Sequence, residues 1–205
     1  MVTGPLSRIR TETRSRILAA AAELFGEYSY DGVTMRQVAS KAGCSHTVIY
    51  QYFADKDALL SALAMPVLAE LERDLQTLLP PRASPSNVLA AHRRLVGLVF
   101  RNRRLARLWL LAAAHRVDEP TPEGEVAAAR QRIFDRLGDG LASASGQTDP
   151  RRRLELARIY VYLIAGLTAT YESNQESAES LETRLGPTTD RAVEMLIRSG
   201  HQEES

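Results

Sequence analysis

"TMRQVASKAGCSHTVIYQYF", residues Thr34 to Phe53, contains two short helical patterns separated by one glycine. Thr34 is a good N-cap, and Gln37, three residues on, is spaced to reach back to it as a capping box. Val38, Ala39 and Ala42 fall on one side of that first segment, which is predicted to stop at Gly43. Ser45 caps the second segment, predicted to end near Phe53. Neither is long enough to stand alone as an amphipathic helix, so both must lean on a third element. Ile49 and Phe53, four apart, can anchor the second segment to such a core. His46, Thr47 and Val48 then occupy its exposed first turn. The run Cys44-Ser45-His46 resembles a nucleophile beside its base. Adjacent residues at a helix start point in different directions, however, and no acid is placed to orient the histidine. Cys44 is expected to be a small buried hydrophobe.

The bracing element is legible just upstream. Ile17, Ala21, Leu24, Phe25 and Tyr28 recur at i, i+4, i+7, i+8 and i+11, one apolar stripe of a helix beginning at Thr13. "SYDGV" ends it, with Gly32 in the turn. Downstream, Asp55 caps a further helix carrying Leu59, Leu60 and Leu63. A longer helix followed by two short ones joined at a glycine is the helix-turn-helix arrangement, in which the last helix enters the DNA major groove. The residue types suit that task. The Val48 methyls can meet a thymine methyl. Tyr50 and Tyr52 can donate to phosphate oxygens without carrying charge. The helix starts at Thr34, Ser45 and Asp55 offer backbone N–H groups to phosphates, with Lys56 beside the last. Arg8, Arg10, Arg14 and Arg16 form either a solvated face or a basic arm reaching the DNA backbone or minor groove.

Composition is permissive. The chain has 205 residues, 44% hydrophobic and 25% charged, with a formal net charge of +1, so bulk charge favours no partner. Cys44 is the single cysteine, which rules out a disulfide within the chain and suits a reducing compartment. No uninterrupted apolar run has the length of a membrane span, and the first residues do not read as a signal peptide. The reading is a soluble cytoplasmic protein.

The remainder is helical in pattern, with no run of alternating β-branched residues, so the fold class is all-α. Pro66 is expected to kink or break the fourth helix. Three regions follow: a flexible basic arm over 1–10, a helix-turn-helix domain over 11–62, and a helical domain over 63–205. Helices are predicted over 86–100, 102–116, 122–143, 151–172 and 189–199. Ser84–Pro85, Thr121–Pro122 and Asp149–Pro150 each supply a cap followed by a first-turn proline. From Leu154 to Tyr171 the only charged residues are Glu155 and Arg158, so this helix is expected to be buried on several sides, centrally or against a second subunit. Phe100, Trp109, His115, Phe134, Tyr160, Tyr162 and Tyr171 are candidates for lining an apolar pocket with a few polar tips. His92, His115 and His201 have no second ligand at i+3 or i+4, so no metal site and no cofactor are expected.

"ILAAAAELFGEYSYDGVTMRQVASKAGCSHTVIYQYFADKDALLSAL" resembles the DNA-binding domain of the tetracycline-repressor (TetR) family. The likeness lies in "AAELF", Gly32-Val33-Thr34, "VASKAG", Ser45, "IYQYF" and "DKDALL". It implies an all-α homodimer on double-stranded DNA, released from a palindromic operator by a small molecule held in a C-terminal dimerisation domain. By position it implies DNA contacts from Thr34, Arg36, Ser45, His46, Thr47, Val48, Tyr50, Tyr52 and Lys56. Cys44 takes a place more often aliphatic, and Thr47–Val48 replaces a usual Gly–Thr pair. The dimer is expected to form through the 151–172 and 189–199 helices, whose small residues Ala157, Ala165, Gly166 and Ala169 suit a four-helix bundle. The effector is expected to be apolar or aromatic, since no acidic cluster interrupts the apolar helices. An all-α enzyme or ligand-binding protein with a vestigial helix-turn-helix is the alternative, and a protein-interaction adaptor a third reading. No catalytic constellation supports an enzyme.

Overall fold

The computed structural model describes residues 5–28, 30–103, 106, 124–171 and 173–201. Eight helices and no strand occur among them: α1 (Pro5–Glu27), α2 (Met35–Lys41), α3 (His46–Ile49), α4 (Lys56–Leu78), α5 (Pro85–Arg101), α6 (Gly124–Ala144), α7 (Pro150–Tyr171) and α8 (Ala178–His201). The chain divides into two compact units, Met1–Pro66 and Val67–Ser205.

In the first unit the α1 stripe behaves as its spacing requires. Ile17, Ala21, Leu24 and Phe25 are buried against Val38, Ala39, Ala42, Ile49 and Phe53 of the neighbouring core. Tyr28 departs from the stripe and is 52% exposed, because α1 ends at Glu27 before the side chain can turn inward. Helix α1 also starts earlier than its apolar pattern does. Residues 5–10, expected as part of a flexible arm, are helical. Proline suits a first helical turn, and the exposed Arg8 and Arg10 are good helix formers that bury nothing. Helix α3 is shorter than predicted. After Ile49 the chain continues as hydrogen-bonded turns, Gln51 N–H to the Val48 carbonyl and Tyr52 N–H to the Ile49 carbonyl, each at 3.0 Å. Asp55 caps α4 through the Ala58 N–H at 2.7 Å. Pro66 does not break α4, which runs through it.

In the second unit α5 packs chiefly on α8, and α6 on α7. Ser84 and Pro85 start α5 as predicted, and Asn87 adds a capping box. The α6–α7 approach is close: a Cβ placed on Gly138 would lie 3.2 Å from that of Ala157. Helix α8 differs most from expectation, starting at Ala178 instead of 189 and carrying Pro187 inside it. Leu181, Thr189, Val193 and Ile197 recur every four or eight residues and are all buried, so packing holds this helix through the proline. Helix α7 is not buried all round within one chain. Leu156, Ala157, Tyr160, Ile164, Ala165 and Thr168 are buried, while Ile159 and Tyr162 stay 46% and 52% exposed. The predicted 102–116 helix and Thr121–Pro122 fall almost entirely outside the described residues.

Candidate nucleic-acid interface

The geometry of the α2–α3 segment is set by two caps, one glycine turn and one brace. The Thr34 hydroxyl accepts from the Gln37 N–H at 3.3 Å, and the Gln37 side-chain oxygen accepts from the Thr34 N–H at 2.8 Å, closing the capping box at the start of α2. Gly43 turns the chain with φ +65°, a conformation L side chains rarely adopt. The Ser45 hydroxyl accepts from the Val48 N–H at 3.2 Å and starts α3. The brace is Arg16 of α1. Its guanidinium donates to the carbonyl of Ala42 at 2.6 Å and of Gly43 at 3.0 Å, satisfying the open C-terminus of α2. Sequence reasoning missed this role. Arg16 lies 26 residues from Ala42, so no local pattern marks it, and the nearby Lys41 is instead paired with Glu23 at 2.7 Å. Arg14 is likewise engaged within the unit, its guanidinium 5.2 Å from the centre of the Phe53 ring. Arg8 and Arg10 remain exposed.

Ile49 and Phe53 are buried, so α3 is fixed from beneath. Thr34, Arg36, Ser45, His46, Thr47 and Tyr50 are exposed, and Val48 and Tyr52 are half-buried. The His46 and Tyr50 rings meet edge to face, centroids 5.1 Å apart at 81°. This contact orients an imidazole and a phenol together on the outer side of the turn. Cys44, expected to be buried, is half-buried and free.

Lys56 has partners within its own unit. Its ammonium donates to the Tyr30 carbonyl at 2.8 Å and lies 4.1 Å from the centre of the Tyr30 ring. Tyr30 in turn donates its hydroxyl to Asp57 and stacks on Phe25. Burial, with Asp57 beside it, raises the Tyr30 phenol well above its ordinary pKa, so it stays a donor. Lys56 and Tyr30 thus join the loop after α1 to the first turn of α4. No phosphate is needed to explain where the ammonium sits.

Residues 17–63 match the family model described as bacterial regulatory proteins, tetR family. Residues 17–63 therefore carry a TetR-type DNA-binding domain. Members of this family are DNA-binding regulators and not enzymes. A helix-turn-helix transcriptional regulator of Mycobacterium tuberculosis is 29% identical over 163 residues, 79% of this chain and 78% of the relative. A second M. tuberculosis protein, named a transcriptional repressor, is 45% identical over 51 residues, 25% of this chain and 27% of its own. Among solved structures, the TetR-family regulator PfmR of Thermus thermophilus superposes with a TM-score of 0.60 at 20% identity, over 89% of this chain and 97% of that one. This likeness concerns the fold.

In the second unit, two of the residues named for a pocket meet each other. Phe100 is buried and meets the half-buried Tyr171 edge-on, centroids 6.3 Å apart. The Tyr171 ring also faces Arg184 at 5.5 Å. Phe134 is half-buried. Tyr162 points outward and cannot line the interior of a single chain. Trp109 and His115 lie outside the described residues. Tyr160 is fully buried and shares a 3.0 Å hydrogen bond with His92, a residue that sequence reasoning had left isolated. Among the described residues no three His, Cys, Asp or Glu side chains are grouped to hold a metal, and no helix is long and apolar enough to cross a membrane.

Proposed function

We propose that the chain is a cytoplasmic repressor that binds a palindromic operator as a homodimer and leaves it when a small apolar or aromatic molecule occupies the Val67–Ser205 unit. The observation that carries this reading is the α3 turn: His46 and Thr47 stand exposed on a segment fixed from beneath by Ile49 and Phe53. Such a turn presents donors, acceptors and, through Val48, methyl groups to base edges. Tyr50, Tyr52, Thr34, Arg36 and Ser45 flank it as backbone contacts. Repression is favoured by the relative named a repressor, which matches over 51 residues.

The dimer is supported by the outward face of α7 and α8. Ile159, Tyr162 and Met195 are 46%, 52% and 62% exposed, with the exposed Gly166 and Ala169 alongside. Ile159, Tyr162, Gly166 and Ala169 fall at i, i+3, i+7 and i+10, one face of α7, and an exposed apolar helix face marks an interface. Ala157 and Ala165 are buried inside the chain and do not contribute to that face. A twofold dimer presents two copies of α3, and thus reads an inverted repeat. An effector shifts operator occupancy only by its differential affinity for the bound and released conformations. A hundredfold change requires about 2.7 kcal/mol of coupling.

Selecting genomic fragments on the purified protein tests the reading. Enrichment of one inverted repeat with half-site centres about one helical turn apart, or a multiple of it, is expected. Enrichment of nothing, or of a site without symmetry, contradicts it.

A further inference from the structure

Among the described residues of the second unit, four polar side chains are buried: His92, Ser145, Thr168 and Thr189. Three of them satisfy themselves on their own helix. The Ser145 hydroxyl donates to the Leu141 carbonyl at 2.8 Å, Thr168 to Ile164 at 2.7 Å, and Thr189 to Gly186 at 3.1 Å. His92 does not. Its ring, 1% exposed, lies where α5 meets α7 and α8. Nδ1 is 3.0 Å from the Tyr160 hydroxyl, and Nε2 has no partner.

The protonation pattern follows. Burial pulls the His92 pKa down to about 4, so the ring is neutral near pH 7 and carries one N–H. The buried Tyr160 hydroxyl keeps its proton, and among the described residues its hydrogen-bond partner is His92 Nδ1. With the hydroxyl as the donor of that bond, the ring proton resides on Nε2. Nε2–H is a buried donor without an acceptor, an arrangement that native interiors rarely leave unexplained. A complementary orphan is Oδ1 of Asp190, also buried and unpartnered, and the two do not bond each other. Arg93 occupies the other Asp190 oxygen at 2.9 Å. Asp190 and Arg93 act on the His92 ring in opposite directions, so what opposes an anionic guest is the cost of burying an ionised group among apolar side chains.

The surroundings are apolar and aromatic. About two turns along α5 from His92, Phe100 meets Tyr171 across the same pair of helices that His92 and Tyr160 join. The seam between α5 and α7 is thus bridged by aromatic side chains at both levels, with Val96 and Ile164 buried on the same two helices. A largely apolar lining with one fixed donor is how a small molecule is oriented.

We propose that His92 is the polar anchor of the effector site, donating from Nε2–H to the carbonyl or hydroxyl oxygen of an uncharged, mainly apolar effector. This rests on the effector-responsive reading above and narrows it to a ligand class. Tyr160 is the positioning residue that fixes the tautomer.

The test uses the full chain with ¹⁵N-labelled histidine and three probes of one size: acetophenone, ethylbenzene and benzoate. Acetophenone at millimolar concentration is expected to shift the His92 Nε2 resonance and to bind about tenfold more tightly than the other two. His92→Phe should erase the preference for the ketone over the hydrocarbon. Tyr160→Phe should reduce that preference and move the histidine resonances toward a mixture of tautomers, a change that lost packing alone does not produce. Circular dichroism confirms that each variant is folded. Equal affinity for ketone and hydrocarbon, or a His92 resonance indifferent to acetophenone, overturns the proposal. Operator binding is measured on the same preparation. If it persists while His92 is silent, the anchor is wrong and the regulator stands. If no DNA is bound, the regulator reading fails with it.

Discussion

At the residue scale, the proposed DNA recognition rests on few side chains. His46 and Thr47 are exposed, and Val48 is the half-buried residue beside them. Val48→Ala should relax base preference at one position per half-site, a loss of about 1 kcal/mol of discrimination, visible in competition binding against single-base variants. Tyr50→Phe should instead weaken all sequences alike. Lys56 makes the opposite case. Because its ammonium is held by the Tyr30 carbonyl and ring, Lys56→Met should leave the salt dependence of DNA binding unchanged. A phosphate contact would lower that slope by about 1. His92 carries a pH signature. Its folded pKa, about 4, lies below the ordinary value of 6.5. The unfolded chain therefore binds the extra proton in between, and the contribution of His92 to stability is complete above pH 6.5 and lost as pH falls toward 4. The full loss is about 3 kcal/mol. His92→Phe should flatten this part of the stability curve in denaturant titrations at pH 7, 6 and 5.

At the scale of elements, short-range chemistry was legible and long-range packing was not. The Thr34–Gln37 capping box, the Ser45 and Asp55 caps and the stop at Gly43 each depend on residues within four positions, and each is as the sequence indicates. The Arg16 brace spans 26 residues to Ala42 and has no local signature. Pro66, expected to kink or break its helix, does not break it, for the same reason. Pro66 and Pro187 each lack a helix donor, but the apolar stripes around them outweigh that cost. The His92–Tyr160 pair spans 68 residues and joins two helices whose register is not encoded locally. Gly43→Ala tests the turn. It forces a side chain into φ +65° and places a Cβ 3.2 Å from the Arg16 guanidinium. The expected loss is about 1–2 kcal/mol in chemical denaturation, with operator affinity falling by more than stability alone accounts for.

On the scale of the whole molecule, the proposed function requires two copies of α3 held at one spacing. Most of the α7 sequence reads as buried on every side, yet in one chain Ile159 and Tyr162 face outward. The proposed second subunit would reconcile the two. Tyr162→Arg combined with Met195→Glu should yield a folded monomer in sedimentation velocity at micromolar concentration. Operator affinity should drop at least as far as that for a single half-site, because each chain then binds alone. A dimer that survives both substitutions places the interface elsewhere.

The central claim is that the first turn of α3 reads DNA. It is tested most directly by comparing base-preference profiles of the wild type with those of His46→Ala, Thr47→Ala and Val48→Ala on the selected site. Each substitution is expected to change preference at positions related by the operator symmetry, with overall affinity for non-specific DNA unaltered. Profiles that match the wild type in all three variants would contradict the claim.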